Sequence, residues 1–243
     1  MSNIAERLTE SERDQTSPNL RPRDAATLIV IDRSGPKPQV LMGRRHARHK
    51  FMPGKFVFPG GRVEPYDRRM PAFGELADEH QARLLKRIQR PGAARARGFA
   101  LAAIRETCEE TGLLIGRQAS EAPKVPTEAW QSFADAKVLP DLTELHFIAR
   151  AITPPRRNRR FDARFFAADA NAIAHRIDGV VGPDAELDEI VWIPIGEARR
   201  LDLSTITQVV LEELDRRIAG GFDPALPAPF FRMLHRRFVR EML

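Results

Sequence analysis

The chain has 243 residues, of which 42 % are apolar and 30 % charged, with 14 phenylalanines, so one sizeable domain with a buried core is within reach and global disorder is excluded. Its 39 basic residues against 33 acidic ones leave a net charge of +6, a modest bias that favours an anionic partner and keeps phosphorylated small molecules and nucleic acid both open. Cys108 is the only cysteine, which excludes an internal disulfide and a zinc site built from cysteine pairs. No stretch approaches the roughly 20 apolar residues of a membrane span, and residues 1–24 lack the apolar centre of a signal peptide, so the expectation is a soluble, cytoplasmic protein with no membrane partner.

Residues 1–24 carry few apolar side chains and predict a mobile arm, with a short helix near Ile4 to Leu8. An apolar run at 25–32 ends at the turn segment Arg33-Ser34-Gly35-Pro36, and 39–44 follow as a second extended run, so the two read as a hairpin. A third short strand at 55–58 closes on Pro59-Gly60-Gly61, where consecutive glycines permit a backbone that side chains would block. Residues 76–89 place Leu76, Leu84, Leu85 and Ile88 near helical spacing and stop at Pro91-Gly92. Residues 99–111 predict a second helix, with Leu101, Ile104 and Cys108 on one face and Gly112 where a left-handed cap belongs. Strands are expected at 142–152, 163–167 and 189–194, the last leading into a helix through 203–219. The apolar and basic segment 229–243 predicts a C-terminal helix docked on the body, or serving a homodimer through Phe230, Phe231 and Leu234. Residues 25–243 therefore read as a single domain.

On the helix at 99–111, Glu106, Glu109 and Glu110 stand at i, i+3 and i+4, so three carboxylates crowd one face. Like charges at this spacing destabilise a helix by a few tenths of a kcal/mol per pair, and Arg105, which can pair with Glu109, cannot neutralise all three. Either the face is simply solvated or a hard divalent cation, Mg²⁺ or Mn²⁺, completes the balance on clustered carboxylate oxygens.

The turn Phe58-Pro59-Gly60-Gly61, then Asp67, then the run Arg105-Glu106-Thr107-Cys108-Glu109-Glu110-Thr111-Gly112-Leu113 resembles the box of the Nudix hydrolases. That pattern is Gly, five residues, Glu, seven residues, then Arg-Glu-apolar-any-Glu-Glu-any-Gly-apolar. Thr107 occupies the apolar position, Asp67 stands for Glu, and 37 residues separate Asp67 from Arg105, an insertion of 30. The resemblance implies an α/β/α sandwich with a mixed β-sheet, here with a helical insertion at 68–97. It also implies that the Gly60 carbonyl, Glu106, Glu109 and Glu110 ligate the cations while Arg105 orients the glutamates. Whether Asp67 still supports Arg105 across the insertion is left open by the sequence.

A long insertion in the box, Phe-Pro-Gly-Gly ahead of it, and a later segment from Pro154-Pro155 through Arg160 to Phe166 are similar to a Nudix branch that includes coenzyme A and acyl-coenzyme A diphosphatases. The stretch 41–50 with Gly54 partly matches that group's coenzyme A pattern, departing from it at Gly43, His46 and Lys50. The activity implied is hydrolysis of a nucleoside diphosphate linked to another moiety, with a phosphorylated small molecule, a nucleotide derivative or coenzyme A ester, as substrate. Glu106 is a candidate proton acceptor, and Glu186 and Glu189, just before an expected strand, are candidates from a distant loop. Arg44, Arg45, Arg48 and Lys50 precede the Gly-Gly strand and could bind phosphate, and Arg156 and Arg160, in a run after two prolines, could grip a remote phosphate. Solvated charge is the plain alternative for each. The competing function is a silent nucleotide sensor or nucleic-acid-binding regulator on the same fold; intact glutamates and the lack of aromatic residues among the basic runs weigh against it. The histidines show no metal-binding spacing, and Cys108 reads as core.

Overall fold

A computed structural model describes residues 4–11, 17–48 and 52–243. In chain order, helix α1 (Ile4–Ser11) leads to the hairpin of β1 (Arg23–Asp32) and β2 (Gln39–Arg45), then to the short strands β3 (Phe56–Val57) and β4 (Gly60–Arg62). Helices α2 (Asp78–Leu84) and α3 (Ala93–Thr111) follow, then strands β5 (Leu113–Ile115) and β6 (Arg117–Gln118), helix α4 (Gln131–Asp135) and strand β7 (Val138–Leu139). The remainder comprises β8 (His146–Ile152), β9 (Phe161–Asp169), β10 (Ile173–Arg176), β11 (Leu187–Pro194), α5 (Ile195–Ala198), α6 (Thr205–Ala219), β12 (Pro229–Leu234) and β13 (Arg237–Met242).

The main sheet runs β11-β2-β1-β9-β8-β12-β13, with β3 on β2 and β4 on β1. It is mixed: β1 with β9 and β8 with β12 are parallel, and its other pairs are antiparallel. Alternation along the strands divides the core. Leu28 and Val30 of β1 and Phe166 of β9 face α3, while Ile29, Ile31 and Phe165 face α6 and α1. The result is the expected α/β/α sandwich.

Helix α3 begins six residues before the expected position, because the alanine- and arginine-rich start carries no apolar periodicity yet suits a helix. It ends as expected on Gly112, whose φ of 73° and N–H bond to the Cys108 carbonyl form the left-handed cap. The first turn of α3 therefore takes up the end of the 68–97 insertion, whose own helix is the two-turn α2.

Two expectations at the termini are corrected. Residues 229–243 form a hairpin, not a helix: Phe230 is buried on the α3 side of the sheet and Phe231 on the α6 side. Consecutive aromatic residues buried on opposite faces suit the two-residue period of a strand and defeat a single-sided helix. Positive φ angles at His235 and Arg236 make the turn. With both phenylalanines in the chain's own core, neither offers a surface to a second copy, and Leu234 remains exposed. At the other end, residues 4–11 are no free arm. Leu8 is 1 % exposed in the α6-side core, Arg7 pairs with Glu212 at 2.6 Å, and the Phe238 N–H donates to Thr9 Oγ1 at 2.9 Å. The arm's last two residues, Arg23 and Asp24, already belong to β1. No helix among the described residues is long and apolar enough to cross a membrane.

Candidate active site

Strand β4 lies against β1 with Ala26 opposite Gly61 and Thr27 opposite Gly60. A Cβ on Gly60 would stand 2.6 Å from the Thr27 Cα, and one on Gly61 would stand 2.4 Å from Glu106 Oε2. Close approach thus requires both glycines: the first lets the turn reach β1, the second lets a carboxylate from α3 reach the turn. The Gly60 N–H donates to Glu110 Oε2 at 3.1 Å, tying the same turn to the next helical step.

Behind the glutamates, Arg105 is 3 % exposed and fully engaged. Its Nε donates to Asp67 Oδ1 at 2.8 Å, Nη2 to the Arg62 carbonyl at 2.8 Å, and Nη1 to Glu109 Oε2 at 2.7 Å, with Glu106 Oε1 at 2.9 Å. Asp67 in turn accepts the Glu64 N–H at 2.8 Å and is 0 % exposed. The pair the sequence left open is therefore made across the whole insertion. Burial works against the guanidinium charge, yet the Asp67 hydrogen bond and the charges of Glu106, Asp67 and Glu109 raise its pKa.

The carboxylates carry more negative charge than Arg105 neutralises. Burial, then the charges of Glu109 and Glu186, push Glu106 up to about 7 against the pull of Arg105. Glu109 is raised by burial and by Asp67 and Glu186, again against Arg105. Glu110, 6 % exposed, is raised well above the carboxylate range by burial and by Glu186 and Glu106, with the Gly60 N–H and Arg45 opposing. Glu186, on the loop entering β11, thus faces the box glutamates, and it pairs with Arg45 Nη2 at 2.7 Å. The Arg45 Nε is buried and without a hydrogen-bond partner among the described residues. Burial first, and neighbouring acids second, thus disfavour the charged form of these carboxylates; a cation would offset both, and oxygen donors of this kind suit Mg²⁺ or Mn²⁺. As the side chains stand, Glu109 is turned to Arg105 and Glu110 to Gly60, and among the described residues no three His, Cys, Asp or Glu groups are gathered to hold an ion.

Glu106, Glu110, Glu186 and Arg45 stand at one cavity of about 300 Å³ between the sheet and the α6 layer. Its walls are mainly apolar: Ala25 of β1, Phe165 of β9, Ile206 of α6, Leu8 of α1 and Phe238 of β13. Arg62, Arg157 and Arg159 complete the lining. Other candidates from the sequence lie elsewhere. Arg44 sits on the surface with Asp188 at 2.9 Å and Glu189 at 3.2 Å, which also accounts for Glu189. Arg48 is exposed, 3.6 Å from Asp184, and Arg156 is exposed with φ 63°. Arg160 donates to the Thr153 and Leu20 carbonyls and to Asn19. Lys50 falls outside the described residues. Cys108 is buried, its thiol pushed up to about 11 by burial and by Glu109, as suits a core residue.

The apolar walls from α1 and β13 escaped the sequence reading, because they arise from pairing between the two ends of the chain. Glu186 was separable from Glu189 only through the strand register, which sets Leu187 opposite Arg45 and Glu189 opposite Arg44.

No family model and no curated protein matches the chain. Among solved structures it is similar to a NUDIX hydrolase from Alicyclobacillus acidocaldarius, with 29 % identity and a TM-score of 0.56 over 79 % of this chain and 90 % of that one. It is also similar to the Nudix hydrolase RenU from M. smegmatis, with 16 % identity and a TM-score of 0.45 over 82 % and 86 % of the two chains. A third likeness is to the NUDIX domain of Shewanella oneidensis NrtR complexed with ADP ribose, with 12 % identity and a TM-score of 0.46 over 90 % and 99 %.

Proposed function

We propose that this chain, which belongs to the Nudix family, hydrolyses the diphosphate of a nucleotide derivative, coenzyme A or an acyl-coenzyme A being the favoured class, with Mg²⁺ or Mn²⁺ as cofactor. The observation that carries this reading is the meeting of Glu106, Glu110 and Glu186 at one cavity, each box carboxylate raised by burial and then by its acidic neighbours.

Glu106, Glu109 and Glu110 would hold the cation, together with the Gly60 carbonyl. When bound, it supplies positive charge to the phosphoryl oxygens and acidifies a water. The rest falls to the chain's own groups. Asp67 fixes Arg105, and Arg105 holds Glu106 and Glu109 in place from behind. Glu186 faces the same space from a separate loop and would accept a proton from the water as its oxygen bonds to phosphorus and the bridging P–O bond breaks, releasing the second phosphate as leaving group. Arg45, whose Nε has no hydrogen-bond partner among the described residues, would donate to a phosphoryl oxygen. The apolar walls exclude water and accept a non-polar arm of the substrate, which supports an acylated or pantetheine-like group over a second nucleotide.

The test is a hydrolysis screen with Mg²⁺ and Mn²⁺ over coenzyme A, acetyl-coenzyme A, ADP-ribose, NADH and diadenosine polyphosphates, run beside Glu109→Gln and Glu186→Gln. Turnover of a coenzyme A species that disappears in Glu109→Gln is expected. A folded, cation-bound protein that turns over none of the panel would overturn the reading.

A further inference from the structure

A second cleft, of about 630 Å³, opens beside the cavity and is lined by Arg21, Arg23, Arg62, Arg159 and Arg160, with Leu20 and Phe161 among its apolar members. Strand register assembles it. The parallel pairing of β1 with β9 sets Arg23 opposite Phe161, with the Arg23 N–H on the Arg160 carbonyl at 3.0 Å, and the antiparallel pairing of β1 with β4 sets Ala25 opposite Arg62. Arginines from three separated segments are thereby gathered at one corner of the sheet.

These charges are poorly matched within the chain. Among the described residues, the nearest carboxylate to any of them is Glu64, 3.7 Å from Arg62. Arg21 donates to the neutral Gln89 amide at 3.3 Å, and all the donations of Arg160 go to carbonyl or amide oxygens. Elsewhere on this surface arginines sit against acids, as Arg44 does between Asp188 and Glu189. Five guanidinium groups around one concavity, almost without acids, repel one another unless an anion joins them. Arg62, Arg159 and Phe161 line this cleft and the carboxylate-bearing cavity alike, so the two are contiguous.

We propose that the cleft is a subsite for a second phosphate, separate from the scissile diphosphate and carried on the same substrate molecule. Its principal donors are Arg21 and Arg23, which line this cleft alone, with Arg62 and Arg159 at the border with the cavity; Arg160 shapes the wall, and Arg156 lies outside. The inference rests on the diphosphatase reading and narrows it to substrates bearing a further phosphomonoester.

The test compares substrates that differ by that one phosphate: coenzyme A with 3′-dephospho-coenzyme A, and NADPH with NADH. In the Arg21→Gln/Arg23→Gln protein, whose substitutions touch the second cleft alone, KM for the phosphate-bearing member is expected to rise at least about tenfold, the worth of a charge-assisted hydrogen bond. The phosphate-free member should keep its KM, and kcat should not change. Calorimetric titration of coenzyme A and 3′-dephospho-coenzyme A into the wild-type and doubly substituted proteins in EDTA separates this claim from the hydrolytic one. A preference for coenzyme A that the double substitution removes supports the subsite even if nothing is hydrolysed, in which case the diphosphatase reading alone fails. Equal affinities for the two compounds in the wild type, or equal loss for both in the variant, would overturn the subsite while leaving hydrolysis intact.

Discussion

Asp67→Ala removes the anion that holds Arg105 from behind the glutamates. Both partners are buried, at 0 % and 3 % exposure, and joined at 2.8 Å. Breaking a buried pair by deleting one partner costs about 3–5 kcal/mol. Glu106 and Glu109 remain beside the guanidinium, so the loss belongs at the low end, about 3 kcal/mol, with the Glu64 N–H bond lost as well. For a chain of this length each kcal/mol lowers Tm by about 2–4 °C, so the melt should fall by about 6–12 °C. Thermal and urea unfolding of Asp67→Ala, Arg105→Met and the double variant measure the coupling directly. A double variant close in stability to Arg105→Met alone is expected, since the anion then has nothing to hold. An Asp67→Ala protein that melts within about 2 °C of the parent would refute the claim that this pair spans the insertion and braces the site.

Other outcomes follow from the same structure. Gly61→Ala forces a methyl to within 2.4 Å of the Glu106 carboxylate; turnover should drop on the order of a hundredfold while unfolding free energy moves by only about 1–3 kcal/mol, and unchanged turnover would contradict the close approach. His80, on α2 and 2 % exposed, is held down at about 4 by burial and by His146, Arg83 and Arg217. An unfolded histidine titrates near 6.5, so the unfolded chain binds the extra proton. Stability should be fully present above about pH 6.5 and fall by on the order of 3 kcal/mol as pH drops toward 4. Urea titrations at pH 5 and 7.5 should show that slope flattened in His80→Leu; an identical slope would count against it. Leu8→Ala should cost about 2–4 kcal/mol in urea unfolding, because α1 closes the core over β13, and a loss under about 1 kcal/mol would mean the helix is undocked in solution.

What the sequence reveals is set by how local each contact is. The glutamate face of α3 and its Gly112 cap depend on spacings of a few residues, and the hairpin of β1 and β2 on a turn between two apolar runs; all three are legible without a structure. Asp67 and Arg105 are 38 positions apart, and no periodicity connects them, so only their burial together shows the pair. The C-terminal segment misleads because Phe230 and Phe231, read as one apolar helix face, are buried on two sides of a sheet. Neighbouring acids such as Glu186 and Glu189 are alike in composition and differ only in where the β2–β11 register sends them, one to the glutamates and one to Arg44. The arginine cleft is legible only in part: the run after Pro154-Pro155 suggests a grip on a remote phosphate, but the arginines that join it come from β1, the residues just before β1, and β4.

The central claim is that Glu106, Glu109 and Glu110 form a cation centre, and Mn²⁺ titration followed by electron paramagnetic resonance tests it with no substrate involved. The parent protein should bind Mn²⁺, and each single Glu→Gln substitution should weaken that binding at least about tenfold, or about 1.4 kcal/mol. Metal-free Glu110→Gln should melt at or above the parent, since a buried, mutually repelled carboxylate has been removed. A triple Glu→Gln protein, folded and binding Mn²⁺ as tightly as the parent, would place the metal elsewhere and contradict the account.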